Sequence, residues 1–404
     1  MTRLAESSPI MPDPLQGIRV LDFGRFIAGP FCAALLADLG ADVIRVEKVH
    51  GGEDRFLMPV TETGDGAYYL QVNRGKRGMT LNPRTPEGRH VLQRLVAQTD
   101  VVVANLPDAA LKALGLDYDA LTAVRPDVIL TSVSAFGAGG PSSHRLGFDG
   151  IGQAMSGIMY LSGRPGEPTK AYCPYVDFTT ALVATVGTLA ALTVRRDTGR
   201  GQQVRASLLA SALTIANGML MEQAMIRPDR VATGNRSQTQ GPSDAFRTRD
   251  GWVLVQCIGQ PLFRRWTALI GEPHWLDDPR FGDDRSRGDN GAVISERMAA
   301  WCGERTTEEA LAALDAARIP AGPMLSPQQV LDDAHVQAVG FLRSVASPGA
   351  AVEAPVAETP FTLSAAPAGI RGGAPALGEH TDAILEDLGY SPPAIAALHE
   401  RGVV

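Results

Sequence analysis

The chain has 404 residues, 45% of them hydrophobic and 20% charged, a globular composition in a chain longer than one domain of ordinary size. Its formal net charge of −7 excludes a broad basic footprint for nucleic acid and a polybasic membrane-binding surface. Any anionic ligand must therefore meet a local cluster of basic side chains.

From Ile18 the chain predicts strand, helix, strand. "IRVLDF" is apolar and β-branched, "GPFCAALLADLG" is helical with Pro30 in its first turn and Gly40 at its end, and "DVIRVE" is a second strand. That is a βαβ unit, so the sheet is parallel. The pattern recurs through "GMTLN", "PEGRHVLQRLVAQT" and "DVVVAN", then through "LKALGLDYDALTAVRP" into "DVILTSVSAF". Up to about residue 135 the expectation is an open α/β sheet.

Two long apolar segments follow, Phe178 to Val194 and Ala206 to Ile226, parted by "RRDTGRGQQ". The first falls short of the ~20 residues that span a bilayer, which predicts a buried core helix and no membrane. A second domain is expected from residue 227, where "RPDRVATGNRSQTQGPSD" breaks the pattern and "AFRTRDGWVLVQC" alternates around an Asp-Gly turn like a hairpin. It takes in "TTEEALAALDAARIP", whose Thr306 and Glu309 have capping-box spacing. The expected division is 1–226, 227–330 and 331–404.

The four cysteines, Cys32, Cys173, Cys257 and Cys302, form no C-x-x-C pair, so reduced thiols are expected rather than a zinc site or disulfides. The opening stretch "MTRLAESSPIMPDP" has no apolar signal core. Together these favour a cytoplasmic protein. The histidines lack metal-ligand spacing, no G-x-S-x-G elbow occurs, and "DFGRFIAGP" does not fit G-x-G-x-x-G. Metal, serine-hydrolase and dinucleotide readings are thereby disfavoured.

"NRGKRG" sets Arg74, Lys76 and Arg77 beside two glycines, and "EKVHGGEDR" sets Lys48 and Arg55 around two more. Either composition suits phosphate, and either suits a solvated basic turn. Asp177, placed directly before the apolar run, has two readings as well. It is a good helix N-cap, and a partly desolvated carboxylate is a competent nucleophile toward an acyl group.

The ordered set "PLQGIRVLDFGRFIAGPFCAALLADLGADVIRVEK", "NRGKRGMTLN", "GFDGIGQAMSG", "VDFTTALVATVGTLAALTVRRDTGRGQQVRASLLASAL" and "LGEHTDAILEDLGY" resembles the family III CoA-transferases, the formyl-CoA transferase or CaiB/BaiF family. The resemblance runs from about Pro14 to Val404. It implies a large Rossmann-like open-sheet α/β domain made from both chain ends, a smaller α+β domain between them, and an interlocked homodimer. It places the nucleophile at Asp177, with acyl-CoA and a carboxylic acid as substrates and no permanently bound cofactor or metal.

The same resemblance places coenzyme A contacts at Phe26, Ala28, Lys48, Asn73, Lys76, Arg77, Asn105 and Lys112. The family's E-N-F-x-P-G-x-L segment is altered here to carry Ala104, Leu106 and Ala109. Tyr160, Tyr172 and Tyr175 are candidates to face the acyl pocket. The family also contains acyl-CoA racemases, whose proton-transferring His lies in a G-H-D element. Here that element is "GFD", with Phe148 in the place of the base, which favours the transferase over a racemase or a non-catalytic acyl-CoA-binding relative.

Overall fold

The structure is a computed structural model and describes residues 11–404. The opening stretch considered above for a signal core therefore lies, up to Ile10, outside the described residues. The chain divides into two compact units. The larger comprises the described residues up to Met155, Cys173–Ile215 and Gln337–Val404, and the smaller Ser156–Tyr172 and Ala216–Val336. The division thus falls inside a continuous helix, Leu208–Ile226, rather than after it at residue 227. A short hairpin from before Asp177 also joins the smaller unit.

In chain order the larger unit runs β1 (Arg19–Asp22), α1 (Ala28–Asp38), β2 (Asp42–Glu47), α2 (Ala67–Val72), β3 (Arg77–Thr80), α3 (Pro86–Ala97), β4 (Val101–Ala104), α4 (Asp108–Leu114), α5 (Tyr118–Val124), β5 (Ile129–Ser134) and α6 (Asp149–Met155). After α7 (Ile158–Leu161), β6 (Gly163–Arg164) and β7 (Glu167–Pro168) of the smaller unit, it resumes with α8 (Tyr175–Thr198) and β8 (Gln203–Ser207), which leads into α9 (Leu208–Ile226). Its six strands pair in parallel in the order β3-β2-β1-β4-β5-β8. The sixth strand corrects the sequence reading: Ala206 and Ser207 belong to β8, and the second long helix starts only at Leu208.

Strand side chains alternate between two cores. Val20, Val101, Val103, Ile129 and Val133 pack with α1 and α8 on one face. Leu21, Ile44, Val102 and Leu130 pack with α3 on the other, where Ile384, Leu385, Ile395, Leu398, Val403 and Val404 of the returning C-terminal segment complete the layer. All eleven residues of α1 are buried, ten of them uncharged and without a polar side chain and the last, Asp38, paired with Arg74 at 2.7 Å. By contrast α8, expected to be buried throughout, hides only one side, Thr180, Ala181, Ala184, Thr185, Thr188 and Ala191 among others. Leu182, Val183, Val186 and Val194 are exposed. Among the described residues α8 is also the one helix long and apolar enough to cross a membrane.

The smaller unit carries an antiparallel sheet, with β10 (Trp252–Gln256) between β9 (Ser243–Arg247) and β11 (Ala321–Pro323). The first pair is the hairpin read from the Asp-Gly turn. Thr306 and Glu309 form the expected capping box on helix Thr307–Ala316. Phe246, Val253, Phe263, Trp266, Phe281 and Trp301 lie in its core.

Candidate active site

In an open parallel sheet, ligands bind outside the carboxyl ends of the strands where the winding reverses. That point lies between β1 and β4, because the chain goes from β1 outward to β2 and β3 and then returns to β4 on the other side. The loop after β1 packs tightly against the start of α1 and against Asn105, the residue after β4. A Cβ on Gly24 would lie 2.6 Å from Pro30 Cδ and 2.8 Å from Asp22 Oδ1. One on Gly29 would lie 3.0 Å from Gly24 Cα and 3.3 Å from Asn105 Cγ.

Asn105, directly after β4, clamps this loop from both sides. Its Oδ1 accepts the Arg25 N–H at 2.6 Å, and its Nδ2 donates to the Arg25 carbonyl at 2.7 Å. The next residue, Phe26, is held at φ +59°, a conformation that costs a non-glycine residue about 1–3 kcal/mol. Asn105 is thus a loop-shaping residue, and Phe26 is presented where the clamp puts it. The edge of its ring meets Phe148 at 5.2 Å between centroids.

A basic group borders this edge. Arg25 pairs with Asp54 at 2.6 Å and with Glu53, and Glu53 also accepts from the exposed Lys48 Nζ at 3.2 Å. The Glu53 backbone N–H, with Arg25 and Lys48, holds that carboxyl down at about 2. No side chain caps α1, whose buried first residue is Ala28, so its first-turn N–H groups have no side-chain acceptor. Lys112 is exposed on α4, the helix that follows β4.

Asn73, Lys76 and Arg77 are engaged elsewhere. Lys76 Nζ, with no exposed surface, donates to Asp22 Oδ2 at 2.7 Å, the Pro30 carbonyl at 2.7 Å and Asn73 Oδ1 at 2.9 Å. Burial pushes its ammonium down to about 8. Burial alone would raise the Asp22 carboxyl, but Lys76 and Arg45 outweigh it and hold the group below its ordinary range. Arg77 starts β3, bonded to Asp42 at the amino end of β2 and to Asp387. It therefore lies on the opposite edge of the sheet from Phe26, Lys48 and Asn105.

α8 runs against the strands. Its Arg195 meets Asp100, just before β4, at 3.0 Å, and Thr188 meets Thr131 of β5 at 2.7 Å. Its N-terminus therefore lies at the carboxyl edge, and Phe31 and Phe178, 5.0 Å apart, set the first turns of α1 and α8 side by side. The helix begins at Tyr175, not at Phe178, with Pro174 in the cap position. Asp177 is accordingly not the N-cap.

The cap comes from another element. Asp149 Oδ2 accepts the N–H groups of Val176 at 2.8 Å and of Asp177 at 3.1 Å, and its Oδ1 accepts from Gln153 Nε2. No described residue donates a hydrogen bond to the Asp177 carboxylate, which is 9% exposed. Burial first, and the Asp149 charge second, push it up to about 7. The Tyr175 hydroxyl is buried without a partner. Tyr160 and Tyr172 are exposed residues of the smaller unit.

Two residues of this edge were not singled out from the sequence. Arg25 lies within the loop after β1, and Asp149 opens α6 four residues ahead of the Gln153 that serves it. An acid opening a short helix, with an amide on its next turn, was the available signal.

The sequence pattern of CoA-transferase family III matches residues 15–381. The chain belongs to that family. Family III CoA-transferases are enzymes, and so is this one. Over 407 aligned residues the chain is 34% identical to succinyl-CoA–D-citramalate CoA-transferase of Chloroflexus aurantiacus, covering 98% of this chain and all of the relative. It is 33% identical to succinate–glutarate CoA-transferase of Agrobacterium fabrum, covering 94% of this chain and 97% of that protein. Among solved structures, a CaiB/BaiF family protein from Brucella suis superposes with a TM-score of 0.82 at 32% identity, covering 94% of this chain and 100% of that one. Among the described residues no three His, Cys, Asp or Glu side chains gather as a metal site.

Proposed function

We propose that this CoA-transferase moves CoA from a dicarboxylic acyl-CoA of the succinyl-CoA type to a carboxylic acid acceptor, through covalent intermediates on Asp177. The observation that carries this reading is the Asp177 carboxylate itself, buried at the carboxyl edge of the sheet with no hydrogen-bond donor on it. A carboxylate deprived of hydration and donors is a stronger nucleophile than one in water. The donor class is suggested by the substrates named for the two relatives.

In the first step a carboxylate oxygen of Asp177 bonds to the thioester carbonyl carbon, the C–S bond breaks, and CoA thiolate leaves a mixed anhydride. The thiolate then attacks the aspartyl carbonyl, releasing the donor acid and leaving an aspartyl-CoA thioester. The acceptor carboxylate attacks that thioester, and the returning thiolate takes the new acyl group and frees Asp177. Each step exchanges acyl derivatives of similar reactivity, so the cycle needs no ATP. Phe148 offers no proton acceptor where a racemase would need one, which favours transfer over α-proton exchange.

CoA is a substrate in this reading, with no resident cofactor. The uncapped end of α1 at Ala28, Lys48, Lys112, the loop carrying Phe26 and the Asn105 that clamps it form its proposed contact surface, to which Arg25 is added. Intact-protein mass spectrometry after mixing with succinyl-CoA should detect a CoA-sized or acyl-sized adduct mapping to Asp177. Absence of any adduct, together with deuterium uptake at the acyl α-carbon, would instead indicate an isomerase.

The exposed apolar side of α8, with Leu182, Val183, Val186 and Val194, supports a homodimer, a surface of that kind being a common subunit contact. Sedimentation equilibrium at micromolar concentration is expected to give twice the mass of one chain. A mass of one chain would refute the dimer.

A further inference from the structure

The first turn of a helix leaves its N–H groups without intrahelical partners, and an acid within that turn ordinarily serves as its own cap. In α8 that service is transferred. Asp149, 6% exposed, reaches across from α6 and takes the Val176 and Asp177 N–H groups on one oxygen while Gln153 donates to the other. The consequence is a division of labour between two carboxylates. One is fully hydrogen-bonded and fixed, and the other is left with none.

We propose that Asp149 is a positioning residue of the transfer reaction, anchoring the backbone of Asp177 while its own negative charge stands behind the nucleophile. The proposal rests on Asp177 being that nucleophile. When the Asp177 oxygen bonds to the acyl carbon and the C–S bond breaks, one negative charge leaves the aspartate and departs on the thiolate sulfur. Repulsion between two adjacent carboxylates is relieved in that step, so Asp149 favours acylation, and the reverse movement of charge restores the repulsion. An uncharged cap of the same shape would hold the helix but supply no such drive.

Few other charges compete. The helix itself carries Tyr175 and, at its far end, Arg195 paired with Asp100 and Arg196 paired with Asp197, while α1 brings Cys32 against Thr185 and Thr188 and Asp38 paired with Arg74. β8 brings Arg205, exposed and bonded to Gln203, and β5 brings no titratable side chain. Burial and Asp149 push the Tyr175 phenol up, so it stays neutral.

The test is Asp149→Asn, which keeps an oxygen acceptor for the two N–H groups and removes the charge, with Asp149→Glu as the charge-retaining control. The acid limb of kcat/KM against pH for succinyl-CoA reports ionisation in the free enzyme. For Asp149→Asn it is expected to move down by one pH unit or more, with a fall of ~10- to 100-fold in the plateau, while Asp149→Glu keeps the limb in place. An unmoved limb, or an unchanged plateau, would overturn the proposal, since loss of helix capping alone lowers the plateau without moving the limb. Should Asp149→Asn fail to fold, ¹³C-carboxyl titrations of the wild-type enzyme and of Asp149→Ser, an uncharged cap, decide. The signal that disappears in Asp177→Asn must have a lower midpoint in Asp149→Ser than in the wild type, and an unmoved midpoint refutes the proposal. The adduct on Asp177 still forms, more slowly, in Asp149→Asn, so failure of the nucleophile assignment, seen as no adduct even in the wild type, is a separate result.

Discussion

Asp177→Asn is expected to abolish CoA transfer, by at least ~10³-fold in kcat, and at the same time to make the protein more stable above pH 7. The first effect follows from removing the atom that bonds to the acyl group. The second follows from linkage. In the folded state the Asp177 carboxyl is raised from 3.8 to about 7, so the folded protein holds this proton more tightly than the unfolded chain does. Stability therefore falls as pH rises through that window, and the whole penalty is present above it. An Asn is uncharged at every pH and escapes the penalty, a gain of roughly 2–4 kcal/mol at pH 8. Thermal midpoints of the two proteins across pH 4 to 8 should converge at the acid end and separate at the alkaline end. Parallel curves would show that Asp177 carries no such burden, and residual transfer near the wild-type rate would end its role as nucleophile.

A second large effect distinguishes two lysines that resemble each other in sequence. Lys76→Met is expected to cost about 3–5 kcal/mol of stability, because it leaves Asp22 as a buried carboxylate without its closest cation. Lys48→Ala, at an exposed position whose partner is the exposed Glu53, should change stability by less than about 1 kcal/mol and raise KM for acyl-CoA several-fold. Denaturant midpoints and KM values for the two variants decide the matter. Equal stability loss in both, or a KM change confined to Lys76→Met, would reverse the assignment.

Much of the larger unit could be read directly. The runs "DVIRVE", "DVVVAN" and "DVILTS" are β-branched, bounded by turns and separated by helices of regular period, so strand identity and parallel pairing followed from local pattern. β8 escaped because Gln203–Ser207 is short, partly polar and passes without a break into an alanine-rich helix. The start of α8 was misplaced for a different reason. Asp177 has the chemistry of an N-cap, and nothing local reveals that Asp149 already fills that role.

The site was legible to a similar depth. Asp177 stands out by composition and by the family resemblance. Asp149 matters through a contact with residues more than twenty positions away, which no local pattern encodes. "NRGKRG" has the composition of a phosphate loop and equally that of a buried ionic knot, and only burial of Lys76 against Asp22 and Pro30 tells them apart. Arg77 shows the same limit in another form. Its neighbour in sequence points into the sheet beneath α1, while Arg77 itself belongs to the edge away from the nucleophile.

The C-terminal segment covers one face of the parallel sheet, and that arrangement has a consequence for how the protein is made. Strands β1 to β5 and β8 are translated first, then Ala216–Val336 of the smaller unit, and only afterwards Ile384, Leu385, Ile395, Leu398 and Val403. Throughout that interval Leu21, Ile44, Val102 and Leu130 have α3 and its neighbours against them but not the last helices, so part of this face meets water or a chaperone. The nascent chain thus carries a half-covered apolar sheet face through most of its synthesis, and the ribosome must deliver the last helices before the strands that present Phe26 and Asn105 are packed on both sides.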